Sequence, residues 1–449
     1  MLFVYKSDEA SAVPVVKDSD FKIEMIVNGL TRPTGFTFLA PNDFLVIEED
    51  TGKVKRVIDG QVVKTVLDLG VSTSDSRGLL GIDSFVDNNQ IFVFLYFTAS
   101  SSGDGGSADG NRLYRYELID NELVNPKILL NLPSGPGPKD NGGPVVIGPD
   151  RNVYFVIGHI AGDGDIGHQT KAQNYKTGPN ADGTSGIHRV TQDGSTVGSG
   201  ILGSTKPLST YYAYGIRNSF GMDFDPVTGK LWSTENGPSF GDEINLVEGG
   251  FNGGWNDVMG LTPSGFNHNG LETFGGKGKY SDPEFVWKNV VSPTDLVFFN
   301  SGNFGSEFRN DMFVGDFEFG RIYHFNLNSE RNSLSLIGSL ADKEADSDSE
   351  LQSVVFAEGL GVPTDMDVGP DGNLYVSSLR DGAIYKVSKS DENSETTNLD
   401  INGDSSSLPP TSMSSPGNGF ANTDSTSPPA DNPPTSMSSP GNGFANTDS

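Results

Sequence analysis

Residues 214–255 hold the densest group of side chains able to do chemistry in this chain, YGIRNSFGMDFDPVTGKLWSTENGPSFGDEINLVEGGFNGGW. Two strands are legible inside it, GMDFDP and KLWSTEN, because apolar and polar positions alternate as they do on a half-buried strand. Arg217, Asn218, Gly237, Pro238, Asp242 and Glu243 are not needed for that alternation and fall on loops. Arg217 offers a planar fork of N–H donors suited to an anion, and Asn218 adds an amide beside it. Gly237-Pro238 followed by Asp242-Glu243 offers carbonyl and carboxylate oxygens to a hard cation such as calcium, which takes about six to eight oxygen ligands. The same residues admit plainer roles, a structural ion pair for Arg217 and an ordinary turn for Gly237-Pro238.

Among the histidines, His159 ends the strand VYFVIGH at a loop mouth and His168 follows in GDGDIGHQ, so both are candidates to face a central site. His188 in GIHRV and His324 in RIYHF alternate with apolar neighbours and read as packing or surface residues, while His268 sits in a polar loop. With no Cys and no short His-x-His spacing, a transition-metal site has little support. Residues 158–186, rich in Gly and Asp, make a connection longer than a compact domain ordinarily uses, which predicts a cover for the site or a calcium loop.

The elements that must position these residues repeat. An alternating strand, a short Asp/Asn/Gly turn and a second strand of the form Leu-Tyr-Val recur, beginning near Pro33, Gly78, Gly142, Tyr214, Pro293 and Val362. A supersecondary unit recurring at this spacing is the signature of a β-propeller, and six copies predict six blades. The 57 Gly and 26 Pro suit many tight turns, and no stretch shows sustained helical periodicity. The expectation is an all-β chain: an N-terminal arm or leader remnant over 1–20, a six-bladed β-propeller over 21–388, and a disordered Ser/Pro/Asn-rich tail over 389–449. In that tail PPTSMSSPGNGFANTDS occurs twice, at 409–425 and 433–449, which marks a duplicated low-complexity linker.

A formal charge of −29 repels phosphate backbones and anionic lipid surfaces, which argues against nucleic acid and polybasic membrane binding. No apolar run is long enough to span a bilayer, so no direct membrane insertion is expected.

With YGIRNSFGMDFDP, ENGP, DEIN and GGFNGGW the chain resembles the glucose/sorbosone dehydrogenases. The resemblance extends through GGPVVIGPDRNVYFVIG, FRNDMFVGDFEFGRIYHF and DVGPDGNLYV, roughly residues 25–387. It implies a soluble six-bladed propeller that uses pyrroloquinoline quinone (PQQ) and Ca2+ to oxidise a sugar or polyol. In that family a His two residues before a Gly-Gly pair abstracts the hydroxyl proton while hydride passes to the quinone. Here the pair is Gly142-Gly143 and the matching residue is Asp140, a carboxylate that can serve as base within hydrogen-bond reach. Arg217 and Asn218 match cofactor and substrate contacts, Gly237 and Pro238 match carbonyl donors to the quinone-bound calcium, and Glu243 matches a second, structural calcium site.

The family's quinone-binding Lys falls nearest Glu318, and its Arg pair falls within 361–366, where no Arg stands. Both departures remove positive charge from a site that must hold three carboxylates, so Arg321 and Arg380, near the matching positions, are the expected replacements. Three functions are compatible with these residues. They are a PQQ-dependent sugar dehydrogenase, a non-catalytic calcium-braced propeller binding a saccharide or protein, and a calcium-assisted lactone or ester hydrolase on the same scaffold. The resemblance and the stalk-like tail imply an extracytoplasmic or secreted location.

Overall fold

The computed structural model describes residues 13–390, whose strands sort into six sheets. The single α-helical turn among the described residues is Asp348–Leu351. Each repeat folds as a meander, as in Pro33–Ala40, Asp43–Glu48, Lys53–Ile58 and Gln61–Asp68, whose pairings are all antiparallel. Turn chemistry explains the tightness. Asp59 and Gly60 lie between the paired Ile58 and Gln61 at φ 47° and 75°, the conformation a two-residue hairpin requires at both positions.

The first strand of each repeat lies innermost. Pro33–Ala40 packs against Leu79–Asp87, which packs against Val145–Ile147, and the succession continues through Met222–Phe224, Pro293–Phe299 and Pro363–Val368 back to Pro33–Ala40. Carboxylates stitch these strands together. Asp83 accepts from the backbone N–H of Ile147 at 2.7 Å, Asp223 from Phe298 at 2.8 Å, Asp295 from Met366 at 2.8 Å and Asp365 from Phe36 at 2.6 Å. Burial raises their proton affinity, to a pKa of about 6 for Asp83 and about 7 for Asp223, and well above the usual range for Asp295 and Asp365.

Apolar side chains fill the space between sheets. In one such layer Trp232, Ile244, Phe285 and Trp287 meet Leu296, Phe298, Met312 and Val314 of the next sheet. Each buried Leu, Ile or Phe contributes about 1.5–3 kcal/mol relative to its exposed state. The arrangement is an all-β propeller, as the repeats and the missing helical periodicity predict.

The N-terminal segment differs from the expected arm. Val15–Val16 pairs with Val355–Glu358, and Phe21–Val27 pairs with Ala383–Lys389 as the outer strand of the last sheet. The folded body therefore begins before residue 21, because Val16 is buried against Phe21, Phe304 and Phe356. The tail from 391 onward, with its duplicated segment, lies outside the described residues.

Candidate functional site

Three segments meet at one end of the inner strands. Asp140 sits in the turn before Gly142-Gly143 in the left-handed region at φ 57°, a conformation that Asp tolerates. His159 follows the strand Val153–Ile157, and its backbone N–H donates to the carbonyl of Arg217 at 2.8 Å. Gly158 makes this convergence possible. A Cβ there would stand 2.3 Å from the Asp140 carbonyl oxygen and 2.6 Å from that of Arg217.

The side chains form one network, buried at Asp140, His159 and Arg217 and half-buried at Asp165. His159 Nε2 lies 2.7 Å from Asp140 Oδ2 and 3.4 Å from Asp165 Oδ1. Arg217 Nη2 lies 3.3 Å from Asp140 Oδ2 and 2.9 Å from Asp165 Oδ1, and its Nε donates to Asp165 Oδ2 at 3.3 Å. The Nη1 of Arg217 donates to the carbonyl of Asn236 at 3.0 Å, and the guanidinium stands over the Trp255 ring. None of the Asp140 contacts to these side chains uses its Oδ1.

The spacing of Asp140, His159 and Asp165 is also that of a metal-ligand set. Two observations weigh against a metal here. The Arg217 guanidinium already supplies the positive charge between the two carboxylates. In addition, Trp255 Nε1–H donates to His159 Nδ1 at 3.1 Å, which places the ring proton on Nε2 and leaves no lone pair there for an ion. Burial opposes the imidazolium while Asp140 and Asp165 favour it and raise the proton affinity of His159. In the geometry seen, the second proton has no place, since Nδ1 is taken.

Residues 214–255 also supply Asn218, Asp242 and Glu243. Asn218 accepts from the N–H of Gly142 at 3.3 Å, tying it to the Asp140 turn. Asp242, expected to offer its carboxylate to a cation, is instead a backbone staple: Oδ1 accepts from Gly237 N–H at 2.8 Å, and Oδ2 from those of Val291 and Ser292 at 2.7 Å each. Glu243 is buried and directly opposite Glu235 on the adjacent strand. Burial pushes Glu243 up to about pKa 8, with Asp242 and Asp282 adding to the rise, and pushes Glu235 well up, with Glu243 adding to it. Glu235 Oε1 accepts from the N–H groups of Arg217 and Asn218 at 2.5 and 2.9 Å, whereas its buried Oε2 has no partner. An orphaned carboxylate oxygen facing a second buried carboxylate fits a cation.

Asp140, Arg217, Asn218, Gly237 and Pro238 all line a central cavity of about 620 Å³, and the stitching acids belong to the same wall. Thr364 lines it as well, but Glu318 does not. The expected replacement cations are elsewhere: Arg321 is paired with Asp348 and Glu358, Arg380 is exposed, and neither lines the cavity. Positive charge comes instead from Lys139 and Arg32. Arg32 sits beside Pro33, whose carbonyl accepts from Thr364 Oγ1 at 2.9 Å, so a cation of the first repeat stands next to the segment that lacks one. It pairs with Glu49 and, at 3.0 Å, with Asp50. Burial and Asp50 raise Glu49 to about pKa 7 against the opposing effect of Arg32. Three basic side chains line the cavity beside the Gly237-Pro238 turn, but Arg217 and Arg32 are each already paired with two carboxylates, so an anionic quinone would have to share or displace those partners.

Sequence reasoning singled out Asp140, Arg217 and Asn218, which the fold brings together, and placed His159 among the histidines that could face a central site. It missed Asp165 as a partner of Arg217, the Trp255 donor and the cations Arg32 and Lys139. Trp255 closes the GGFNGGW motif, and that position was its one available signal. His168, also considered, lies apart, between Asp182 and the Gly135 carbonyl, and His188 packs against Phe155 and Tyr211 as expected.

Comparison with known proteins identifies the family and the fold. The family model described as Glucose / Sorbosone dehydrogenase matches residues 30–386. An uncharacterized Synechocystis protein, slr1608, is 26% identical over 392 residues, covering 82% of this chain and 87% of that protein. Quinoprotein glucose dehydrogenase B of Acinetobacter calcoaceticus is 28% identical over 318 residues, 63% of this chain and 66% of that one. Among solved structures, the PQQ-bound form of aldose sugar dehydrogenase from Streptomyces coelicolor shares the fold with a TM-score of 0.59 at 21% identity, covering 83% of this chain and 99% of the other. A family match running from the first inner strand to the last therefore makes this chain a member of the glucose/sorbosone dehydrogenase family.

Proposed function

We propose that the protein is a PQQ-dependent dehydrogenase of a sugar or related polyol, built as a six-bladed propeller over 21–388 with each sheet as one blade. The observation that carries this reading is Asp140 at the cavity wall, with Oδ2 held by His159 and Arg217 and Oδ1 outside that network. Bound quinone would supply the two-electron acceptor. Asp140 takes the hydroxyl proton at Oδ1 as general base, a contribution of about 10²–10⁴-fold for a positioned group. His159, with its proton on Nε2, orients that carboxylate. Arg217 and Asn218 bind the anionic edge of the cofactor or the substrate, with Arg32 and Lys139 neutralising its remaining carboxylates.

Gly237 and Pro238 would offer carbonyl oxygens to a calcium ion on the quinone, and the Glu235–Glu243 pair would hold a second calcium as a brace. An extracytoplasmic location accompanies this reading, as does the absence of nucleic acid among its partners. Titrating purified protein with PQQ in the presence of calcium, while following heat unfolding and the visible spectrum of the cofactor, tests it. Saturating stabilisation, about 2.7 kcal/mol at a hundredfold excess over Kd, that is lost in Arg217→Ala would support the dehydrogenase. Stabilisation by calcium with no response to millimolar quinone would leave a non-catalytic, calcium-braced binding propeller.

A further inference from the structure

We infer that Asp165 is an internal carboxylate ligand of Arg217, occupying the fork that an anionic cofactor or substrate must take, so that residues 162–166 swing away when such a ligand binds. The inference rests on the proposed anion-binding role of Arg217. Its geometry is that of a bound ligand: both Asp165 oxygens engage the guanidinium, Oδ1 at 2.9 Å and Oδ2 at 3.3 Å, the side-on pairing that Arg makes with planar carboxylates.

The remaining contacts decide which partner yields. Arg217 keeps Asp140, the Asn236 carbonyl and the Trp255 face if Asp165 leaves, so its charge is not stranded. Asp165 is also the partner nearest water, its side chain 30% exposed against 10% for Asp140 and 9% for Arg217. Rehydrating Asp165 therefore costs less than extracting either of the others. Burial disfavours its charged form, yet hydrogen bonds from His159 and Arg217 hold Asp165 well below the usual carboxylate range, so a charged group is what departs.

The loop has the mechanics for this. Ala161 and Lys139 exchange backbone hydrogen bonds on one side. On the other, Gly167 is packed where a Cβ would stand 2.4 Å from the His159 carbonyl. Between these anchors, the turn Asp163–Asp165 closes on itself, Gly162 N–H donating to Ile166 carbonyl at 3.0 Å, with Gly164 at φ 72° and Ile166 exposed. Release of Asp165 also frees His159 Nε2–H from its second acceptor, leaving the proton directed at Asp140 alone.

The test is titration of the full chain and its Asp165→Asn and Asp165→Ala variants with PQQ, and separately with oxalate, which offers carboxylates without the quinone ring. Binding is followed by thermal shift, with amide hydrogen exchange over residues 160–168. Both variants should bind both ligands about tenfold tighter, and quinone should speed exchange at 162–166 in the parent protein. Unchanged or weaker affinity in both variants overturns the inference, as does failure of every protein to take up either anion. A parent protein that ignores quinone, with variants that gain affinity for oxalate, supports the inference while removing the dehydrogenase reading. Quinone binding that is insensitive to Asp165 does the reverse.

Discussion

The indole N–H of Trp255 and the Nδ1 of His159 stand 3.1 Å apart with the two rings near perpendicular, and this one bond determines which imidazole nitrogen faces Asp140. A second proton on His159 must enter at Nδ1 and break it. Asp140 and Asp165 raise the proton affinity of His159 against burial, so the break falls above the pH at which a free imidazole would titrate. Trp255 emission should change as pH falls through that range, and the change should disappear in His159→Gln. A flat emission profile in the parent protein would show that the bond does not control the proton.

Asp140→Asn keeps the shape of the side chain and removes its capacity to accept a proton. Sugar oxidation should fall by at least about 100-fold in a dye-linked assay while PQQ affinity stays within a few-fold of the parent. Equal losses of turnover and quinone binding would reassign Asp140 to cofactor placement.

The buried acids set the pH dependence of stability. Asp223, Asp367 and Glu243 bind their protons more tightly in the folded chain, at pKa values of about 7, 8 and 8, than in the unfolded chain near 4. Folding takes up protons between those limits, so the stabilisation is complete at low pH and is lost as pH rises through 7–8. The midpoint of heat unfolding should drop by at least about 2 °C between pH 5.5 and 8.5 without divalent ions, and millimolar calcium should restore most of it at the upper pH. A midpoint that rises over this range would refute the assignment.

Gly158→Ala should destabilise the protein by about 1–3 kcal/mol and lower its affinity for anions, because the new methyl group collides with two backbone carbonyls that position Asp140 and Arg217. Denaturant unfolding together with PQQ titration checks both effects. A neutral result would mean that the three site segments are free to separate.

How much of this was legible in the sequence depends on the reach of each interaction. The inner strands were legible because alternation is local: GMDFDP, for example, becomes the strand Met222–Phe224. Asp140 and Arg217 were legible through their motifs. The backbone role of Asp242 was not legible, because its carboxylate could be assigned to a cation or to backbone N–H groups with equal chemistry, and only the fold brings Val291 and Ser292 within 2.7 Å of it. The replacement cations were sought near residues 318 and 364, where the chain lost them. They come from Arg32 and Lys139, which become neighbours of the site only when the ring of inner strands closes. The acids inside the alternating strands, Asp83, Asp295 and Asp365, look like ordinary polar positions in the sequence, because the backbone N–H groups they accept from lie on the next repeat.

Residue 21 paired with residue 389 joins strands from near the two ends of the described residues in a single sheet. Synthesis must therefore pass residue 389 before the last sheet can be completed, and until then the two sheets that flank it lack that neighbour. Such long-range pairing makes folding slow and keeps unpaired edges available to other chains in the interval. Those edges stay open until Phe21–Val27 finds Ala383–Lys389, and a circular permutant that joins these strands in sequence would shorten that exposed period.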